Sequence, residues 1–122
     1  MKRQGSGRII NLSSVAGRGG AALLSSHYTA AKAGLLGLTR QVAREVAALG
    51  ITVNAVAPGP TATERFKALR TPEQTRALLE TVPMRRVAEP SEIAECVLFL
   101  ASDAGSYVTG ACLDVNGGVL MV

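Results

Sequence analysis

The stretch Leu35-Leu36-Gly37-Leu38-Thr39-Arg40-Gln41-Val42-Ala43-Arg44-Glu45-Val46-Ala47-Ala48-Leu49-Gly50-Ile51-Thr52-Val53-Asn54-Ala55-Val56-Ala57-Pro58-Gly59-Pro60 changes its period halfway along. Up to Leu49 the apolar residues Leu35, Leu38, Val42, Val46 and Leu49 recur at three and four, the spacing of one helical face. Gly50 then stands where a C′ glycine ends a helix. From Ile51 to Ala57 the run is β-branched and nearly continuous, a strand covered on both faces, and Pro58-Gly59-Pro60 breaks it. A helix feeding a doubly covered strand is the second half of a βαβ unit.

Working outward, the helical pattern reaches back to about Tyr28, which makes it the longest element. Gly34 and Gly37 inside it cost roughly 1 kcal/mol each against alanine, so a close backbone approach by another element is expected there. Before the helix, Ser13 to Ser26 is a Gly- and Ser-rich loop, and Arg8 to Leu12 reads as a short buried strand. On the other side, Thr61 to Glu89 gains charge and loses period, with a helix at Pro72 to Thr81 and a break at Pro83. Hung between ordered elements, residues 61–89 are a candidate lid. Pro90 is placed as the first residue of a helix reaching Ser102, with Ile93, Val97 and Leu100 as its stripe. Ala111 to Val115 is a third strand, closed by Asn116-Gly117-Gly118. The expected fold is α/β: a parallel sheet of about three strands with flanking helices.

Composition narrows the function classes. The 122 residues suit one domain, and 48% apolar against 18% charged residues argues for a packed globule. Only Tyr28, Phe66, Phe99 and Tyr107 are aromatic, too few for a single-strand nucleic-acid platform. Thirteen basic against nine acidic residues leave a net charge of +4, scattered apart from Lys2-Arg3 and Arg85-Arg86, so no nucleic-acid partner is expected. Cys96 and Cys112 lack C-x-x-C spacing and lie among apolar residues, which reads as reduced core thiols with no metal site. No apolar h-region follows Lys2-Arg3, and Cys96 to Ala101 is far short of a membrane span. A cytoplasmic protein with no membrane partner is expected.

Two features carry chemistry. Tyr28-Thr29-Ala30-Ala31-Lys32 sets a phenol and an ammonium four residues apart, one helical turn from each other. A lone tyrosine is a poor acid at neutral pH, with a reference pKa of about 10, and a fixed cation beside it favours the phenolate. Ser13-Ser14 ends the first strand, at the sheet edge where α/β proteins bind ligands. Such a Tyr and Lys also arise in many ordinary helices, and a loop serine also serves to cap local backbone. Together they could address one carbonyl oxygen from two sides.

On these residues the chain resembles the short-chain dehydrogenase/reductase family. Arg8-Ile9-Ile10-Asn11-Leu12-Ser13-Ser14 is similar to its serine strand, Tyr28 to Lys32 to its Tyr-x-x-x-Lys motif, and Asn54-Ala55-Val56-Ala57-Pro58-Gly59 to its strand and Pro-Gly turn. Pro90-Ser91-Glu92-Ile93-Ala94, Phe99-Leu100-Ala101-Ser102-Asp103, Tyr107-Val108-Thr109-Gly110 and Val115-Asn116-Gly117-Gly118 follow in the family's order. The ending Asn116 to Val122 is most similar to the branch of bacterial 3-oxoacyl-[acyl-carrier-protein] reductases.

The resemblance implies a Rossmann-type doubly wound sheet, of which this is the C-terminal part, a single partial domain over residues 1–122. It implies Ser14, Tyr28 and Lys32 as catalytic residues: Tyr28 protonates the substrate carbonyl, Ser14 orients it, and Lys32 holds the nicotinamide ribose and favours the phenolate. Ser14 rather than Ser13 is implied because it precedes Val15-Ala16-Gly17. Tyr28, Lys32, Pro58, Gly59, Thr61 and Thr63 take cofactor-binding positions, with NADP(H) or NAD(H) as hydride carrier. His27 is expected at the cleft rim without a proton-transfer role. The family's glycine-rich pyrophosphate turn has no counterpart. Gly17-Arg18-Gly19-Gly20-Ala21-Ala22 fits G-x-G-x-x-A but lacks the following helix and a suitably placed acid. Met1-Lys2-Arg3 looks like the end of a preceding helix, as if the chain were truncated.

The implied activity is reduction of a small-molecule carbonyl or acyl-carrier-protein-linked 3-oxoacyl thioester, in fatty-acid synthesis. Two other readings stay open: a family dehydrogenase acting on a sugar, steroid or small alcohol, and a non-catalytic remnant or interaction module. Thr61 to Glu89 would set the substrate. Self-association is expected, since Gly34, Gly37 and Ala43 suit close packing on the helix that the family uses in dimer contacts.

Overall fold

A computed structural model describes residues 1–19 and 25–122. The strands are β1 (Gly7–Leu12), β2 (Ile51–Pro58) and β3 (Cys112–Val115), and the helices are α1 (Ala16–Gly19), α2 (Ser26–Val46), α3 (Glu64–Ala68), α4 (Pro72–Thr81) and α5 (Pro90–Ala101). The sheet has the order β1-β2-β3 and both pairs are parallel, with Gly7 opposite Ile51 and Ala55 opposite Cys112.

Every residue of β2 from Ile51 to Ala57 is buried, as its nearly continuous apolar run predicts, the polar Thr52 and Asn54 included. Alternation along the strands sorts two cores. Ile9, Ile51 and Val53 pack with Val42, Ala43 and Val46 of α2. Ile10, Val56, Leu113 and Val115 pack on the other face with Ile93, Val97 and Leu100 of α5. Each strand steps past the last in one direction while α2 and α5 cover opposite faces. The two crossovers therefore have opposite hands, so one departs from the right-handed rule. Asn54, fully buried in β2, clamps the approach to β3: its Nδ2 donates to the Val108 carbonyl at 2.8 Å and its Oδ1 accepts the Ala111 N–H at 3.1 Å.

Local chemistry explains the helix ends. Gly50 takes φ 72° after the 3₁₀ turn Ala47–Leu49 that closes α2. Proline opens both α4 and α5, and Thr71 and Gln74 make a reciprocal capping box on α4. Thr63 caps α3 by accepting the Phe66 N–H at 3.1 Å.

The structure corrects three expectations. The buried face of α2 is Leu36, Thr39, Ala43 and Val46, while Leu38 is 52% exposed and Leu49 is exposed too. Thr39 replaces a leucine on that face because its hydroxyl has partners, donating to the Leu35 carbonyl at 2.7 Å and accepting from Asn11 Nδ2 at 2.9 Å. Among the described residues a Cβ at Gly34 or Gly37 would meet nothing within 4 Å, so no described element approaches them. Ala43 lies in the chain's own core and is unavailable to a partner. The close approach is at Gly17, where a Cβ would lie 2.6 Å from the Lys32 carbonyl carbon. Finally, the loop 13–26 holds a short helix, α1, and residues 61–89 hold α3 beside the expected α4. Gly20-Ala21-Ala22 of the G-x-G-x-x-A run lies outside the described residues.

Candidate active site

The carboxyl ends of β1 and β2 and the first turns of α2 meet on one edge of the sheet. Hydrogen bonding continues past the strands there: the Ser13 N–H donates to the Val56 carbonyl at 2.8 Å and the Val15 N–H to the Pro58 carbonyl at 3.0 Å. On the far side of the turn the Gly59 N–H donates to the Val115 carbonyl at 2.9 Å. Pro58-Gly59 is thus wedged between the Ser14-Val15 turn and the end of β3. A Cβ on Gly59 would lie 2.8 Å from Asn116 Cα, so only glycine fits without a backbone shift.

The first turns of α2 are pinned to β1 in both directions. Lys32 Nζ donates to the Leu12 carbonyl at 2.7 Å, and Ser13 Oγ donates to the Lys32 carbonyl at 2.8 Å. Gly17 allows α1 to lie directly on that turn. The ammonium sits 5.7 Å from the centroid of the Tyr28 ring, and Tyr28 is 38% exposed, open at the cleft. An ammonium has three donors, so the Leu12 bond leaves Lys32 protons for a ligand.

The two serines divide their work. Ser13 commits its hydroxyl proton to a helix carbonyl. Ser14 Oγ accepts from the Ala16 N–H at 3.2 Å and its own proton has no partner among the described residues. A buried serine with an unspent proton at a cleft edge can address a carbonyl oxygen. Thr61 lies on the same side as Pro58-Gly59, its Oγ1 donating to the Gly59 carbonyl at 3.0 Å. Its segment is tied down by a bridge to Ala88. Thr63 is exposed and caps α3 with its hydroxyl. His27 is exposed as well, its Nε2 at 3.3 Å from Ser25 Oγ. The structure therefore gathers Ser14, Tyr28, Lys32, Pro58, Gly59 and Thr61 at one end of the sheet and gives Thr63 a local duty.

Arg18, to which the sequence reading gave no role, makes a bidentate pair with Asp114 at 2.8 and 3.2 Å, both side chains about four-fifths buried. It fastens α1, directly after Ser14, to β3. Ninety-six residues separate the partners, so no local pattern signals the pair. Cys112, on the same strand, is half-buried, and that burial, followed by the charge of Asp114, pushes its thiol pKa up, away from a reactive thiolate. Among the described residues no group of His, Cys, Asp and Glu could hold a metal ion, and no helix is long and apolar enough to cross a membrane.

A family model described as enoyl-(acyl carrier protein) reductase matches residues 1–120. The 3-oxoacyl-[acyl-carrier-protein] reductase FabG of Vibrio harveyi is 50% identical over all of this chain and 49% of its own length. Acetoacetyl-CoA reductase of Rhizobium meliloti is 45% identical over 97% of this chain and 48% of that protein. The crystal structure of a 3-oxoacyl-[acyl-carrier protein] reductase from Brucella melitensis superposes with a TM-score of 0.95 at 38% identity, covering all of this chain and 45% of that one. The chain spans about half the length of the curated relatives it matches. The family model, the relatives and the solved structure agree over nearly all of the chain, and the chain belongs to the short-chain dehydrogenase/reductase family of oxidoreductases, matching its C-terminal half.

Proposed function

We propose that this chain supplies the proton-transfer half of an NADPH-dependent reductase that converts a 3-oxoacyl thioester to the 3-hydroxyacyl form. The observation that carries the reading is the pinned Lys32 turn: two crossed hydrogen bonds hold Lys32 against β1, and Tyr28 stands one turn before it at the cleft. Tyr28 donates its proton to the carbonyl oxygen as that oxygen gains negative charge. Ser14 donates its unshared hydroxyl proton to the same oxygen and orients it. The Lys32 ammonium, 5.7 Å from the Tyr28 ring centroid, would meet the ribose hydroxyls of a bound dinucleotide with its remaining protons.

The donor set suits the nicotinamide end of a dinucleotide. It combines an ammonium, a phenol and the Pro58-Gly59-Thr61 turn at the carboxyl ends of parallel strands. The bound dinucleotide supplies the hydride. None of the described segments offers a glycine-rich turn for its pyrophosphate, so the reading needs a second half of the fold for that. The Vibrio and Rhizobium relatives support a 3-oxoacyl thioester over an enoyl one, because both are named for reductases of 3-oxo compounds.

The test joins the N-terminal half of the Vibrio harveyi relative to residue 1 of this chain and follows NADPH consumption with acetoacetyl-CoA. Turnover of the thioester is expected. A joined protein that binds NADPH, leaves acetoacetyl-CoA untouched and turns over a sugar or small alcohol would replace this reading with the dehydrogenase one.

A further inference from the structure

Ser14 is held by two different elements. Its chain neighbours Ser13 and Val15 donate their N–H groups to the Val56 and Pro58 carbonyls, so β2 fixes the serine's backbone. The hydroxyl is fixed from elsewhere: its Oγ accepts the Ala16 N–H of α1 at 3.2 Å. α1 is a single turn, Ala16–Gly19, too short to persist without contacts to the rest of the fold. Packing supplies some of them. A Cβ on Gly17 would lie 2.6 Å from the Lys32 carbonyl carbon, and one on Gly19 would lie 3.2 Å from Leu120 Cδ1. The directional anchor is the Arg18–Asp114 fork, in which Nε donates to Oδ1 at 3.2 Å and Nη2 to Oδ2 at 2.8 Å. Asp114 stands opposite Ala57 in the register with β2, so the side chain beside its carboxylate is small and fully buried.

We propose that Arg18 and Asp114 are positioning residues for Ser14: their fork sets α1 over the sheet edge so that the Ala16 N–H occupies a lone pair of Ser14 Oγ and leaves the hydroxyl proton aimed at the substrate oxygen. The inference rests on the reductase reading and adds to it two residues that act through Ser14. A part-buried ion pair adds little net stability, because desolvating both ions offsets their attraction, whereas its planar fork fixes direction. Without the fork α1 shifts on the sheet, and the serine loses the bond that orients its hydroxyl while β2 still holds its backbone.

A double-mutant cycle tests it in the protein joined to the N-terminal half of the Vibrio relative. Ser14→Ala should lower turnover of acetoacetyl-CoA about a hundredfold, and Asp114→Asn about tenfold. The NADPH dissociation constant of Asp114→Asn should stay within about twofold of the parent's, since Tyr28 and Lys32 keep their places. Added to Ser14→Ala, Asp114→Asn should change turnover by less than about twofold, because the hydroxyl it positions is gone. Arg18→Lys keeps the charge without the fork and should behave like Asp114→Asn. Parent-like turnover in Asp114→Asn, or its full loss repeated in the Ser14→Ala background, would overturn the proposal. Amide exchange in the 122-residue chain supplies a readout that needs no turnover. In Asp114→Asn the Ala16 and Arg18 N–H groups should exchange about tenfold faster while the Ala55 N–H of β2 keeps its protection. Unchanged exchange in α1, or equal loosening of Ala55, would also overturn it. A joined parent without turnover would sink the reductase reading alone, and exchange at Ala16 would then decide whether the fork holds the Ser14 hydroxyl.

Discussion

Gly59 and Gly37 show how one residue type takes opposite roles. At Gly59 a methyl group would lie 2.8 Å from Asn116 Cα and 2.9 Å from its carbonyl oxygen, both backbone atoms that cannot rotate away. Gly59→Ala is therefore expected to cost about 1–3 kcal/mol, as overpacking does, and to loosen the turn beside Ser14. At Gly37 nothing stands within 4 Å, so Gly37→Ala removes only backbone freedom from a helix interior and should stabilise by about 0.5–1 kcal/mol. Urea unfolding of the two variants checks the pair, and a Gly59→Ala midpoint at or above the parent's would contradict the wedged turn. The sequence made both glycines visible but not their surroundings. Pro-Gly-Pro marked a turn at Gly59, whereas Gly37 was misread because a helical glycine suggests contact without showing a neighbour. Ser14 is the converse case. Its choice over Ser13 follows from the resemblance, and the hydrogen bond that commits Ser13 to the Lys32 carbonyl now supports it.

At the scale of elements, β1, β2, α4 and α5 were legible within a residue or two because each carries its own punctuation: glycine and proline turns, or a proline at the first helical position. The face of α2 was not. Leu35 and Leu36 are adjacent, so periodicity alone fits two faces, and the docking of Lys32 and Ser13 on β1 selects the one with Leu36, Thr39 and Ala43. Short α1 and α3 escaped because four or five residues show no period. The start of α5 carries a charge device whose pH behaviour can be predicted. Arg86 grips both oxygens of Glu92 at 2.6 Å, and the Glu89 N–H donates to Glu92 Oε2 at 2.8 Å. The bond to Arg86 first, then the backbone bond, lowers the Glu92 pKa from 4.5 to about 2. A carboxyl with a depressed folded pKa stabilises fully above its unfolded value and loses that contribution as pH falls through the folded one. Stability should thus decline from about pH 4.5 down to pH 2, and Glu92→Gln should flatten that part of the curve. Parallel urea midpoints for parent and Glu92→Gln across this window would contradict the assignment.

At the scale of the whole molecule, β1 and β3 each pair on one side only among the described residues, and Leu12, Leu38, Leu98 and Phe99 stand exposed. If such surfaces leave about 400 Å² of apolar area open, burying it at about 25 cal/mol per Å² gives roughly 10 kcal/mol before association costs. The 122-residue chain is expected to self-associate. Light scattering after size-exclusion chromatography should show a dimer or larger species, and a folded monomer at tens of micromolar would contradict this. In the proposed reading the same half-molecule holds the proton-transfer side chains and lacks a pyrophosphate turn among its described residues, so chemistry and cofactor grip would separate along the chain. The central claim, that Tyr28 is the proton donor, is tested most directly by Tyr28→Phe in the protein joined to the N-terminal half of its Vibrio relative, measuring turnover and NADPH affinity together. Turnover should fall a hundredfold or more while the NADPH dissociation constant stays within about twofold. Near-full turnover in Tyr28→Phe would contradict the account.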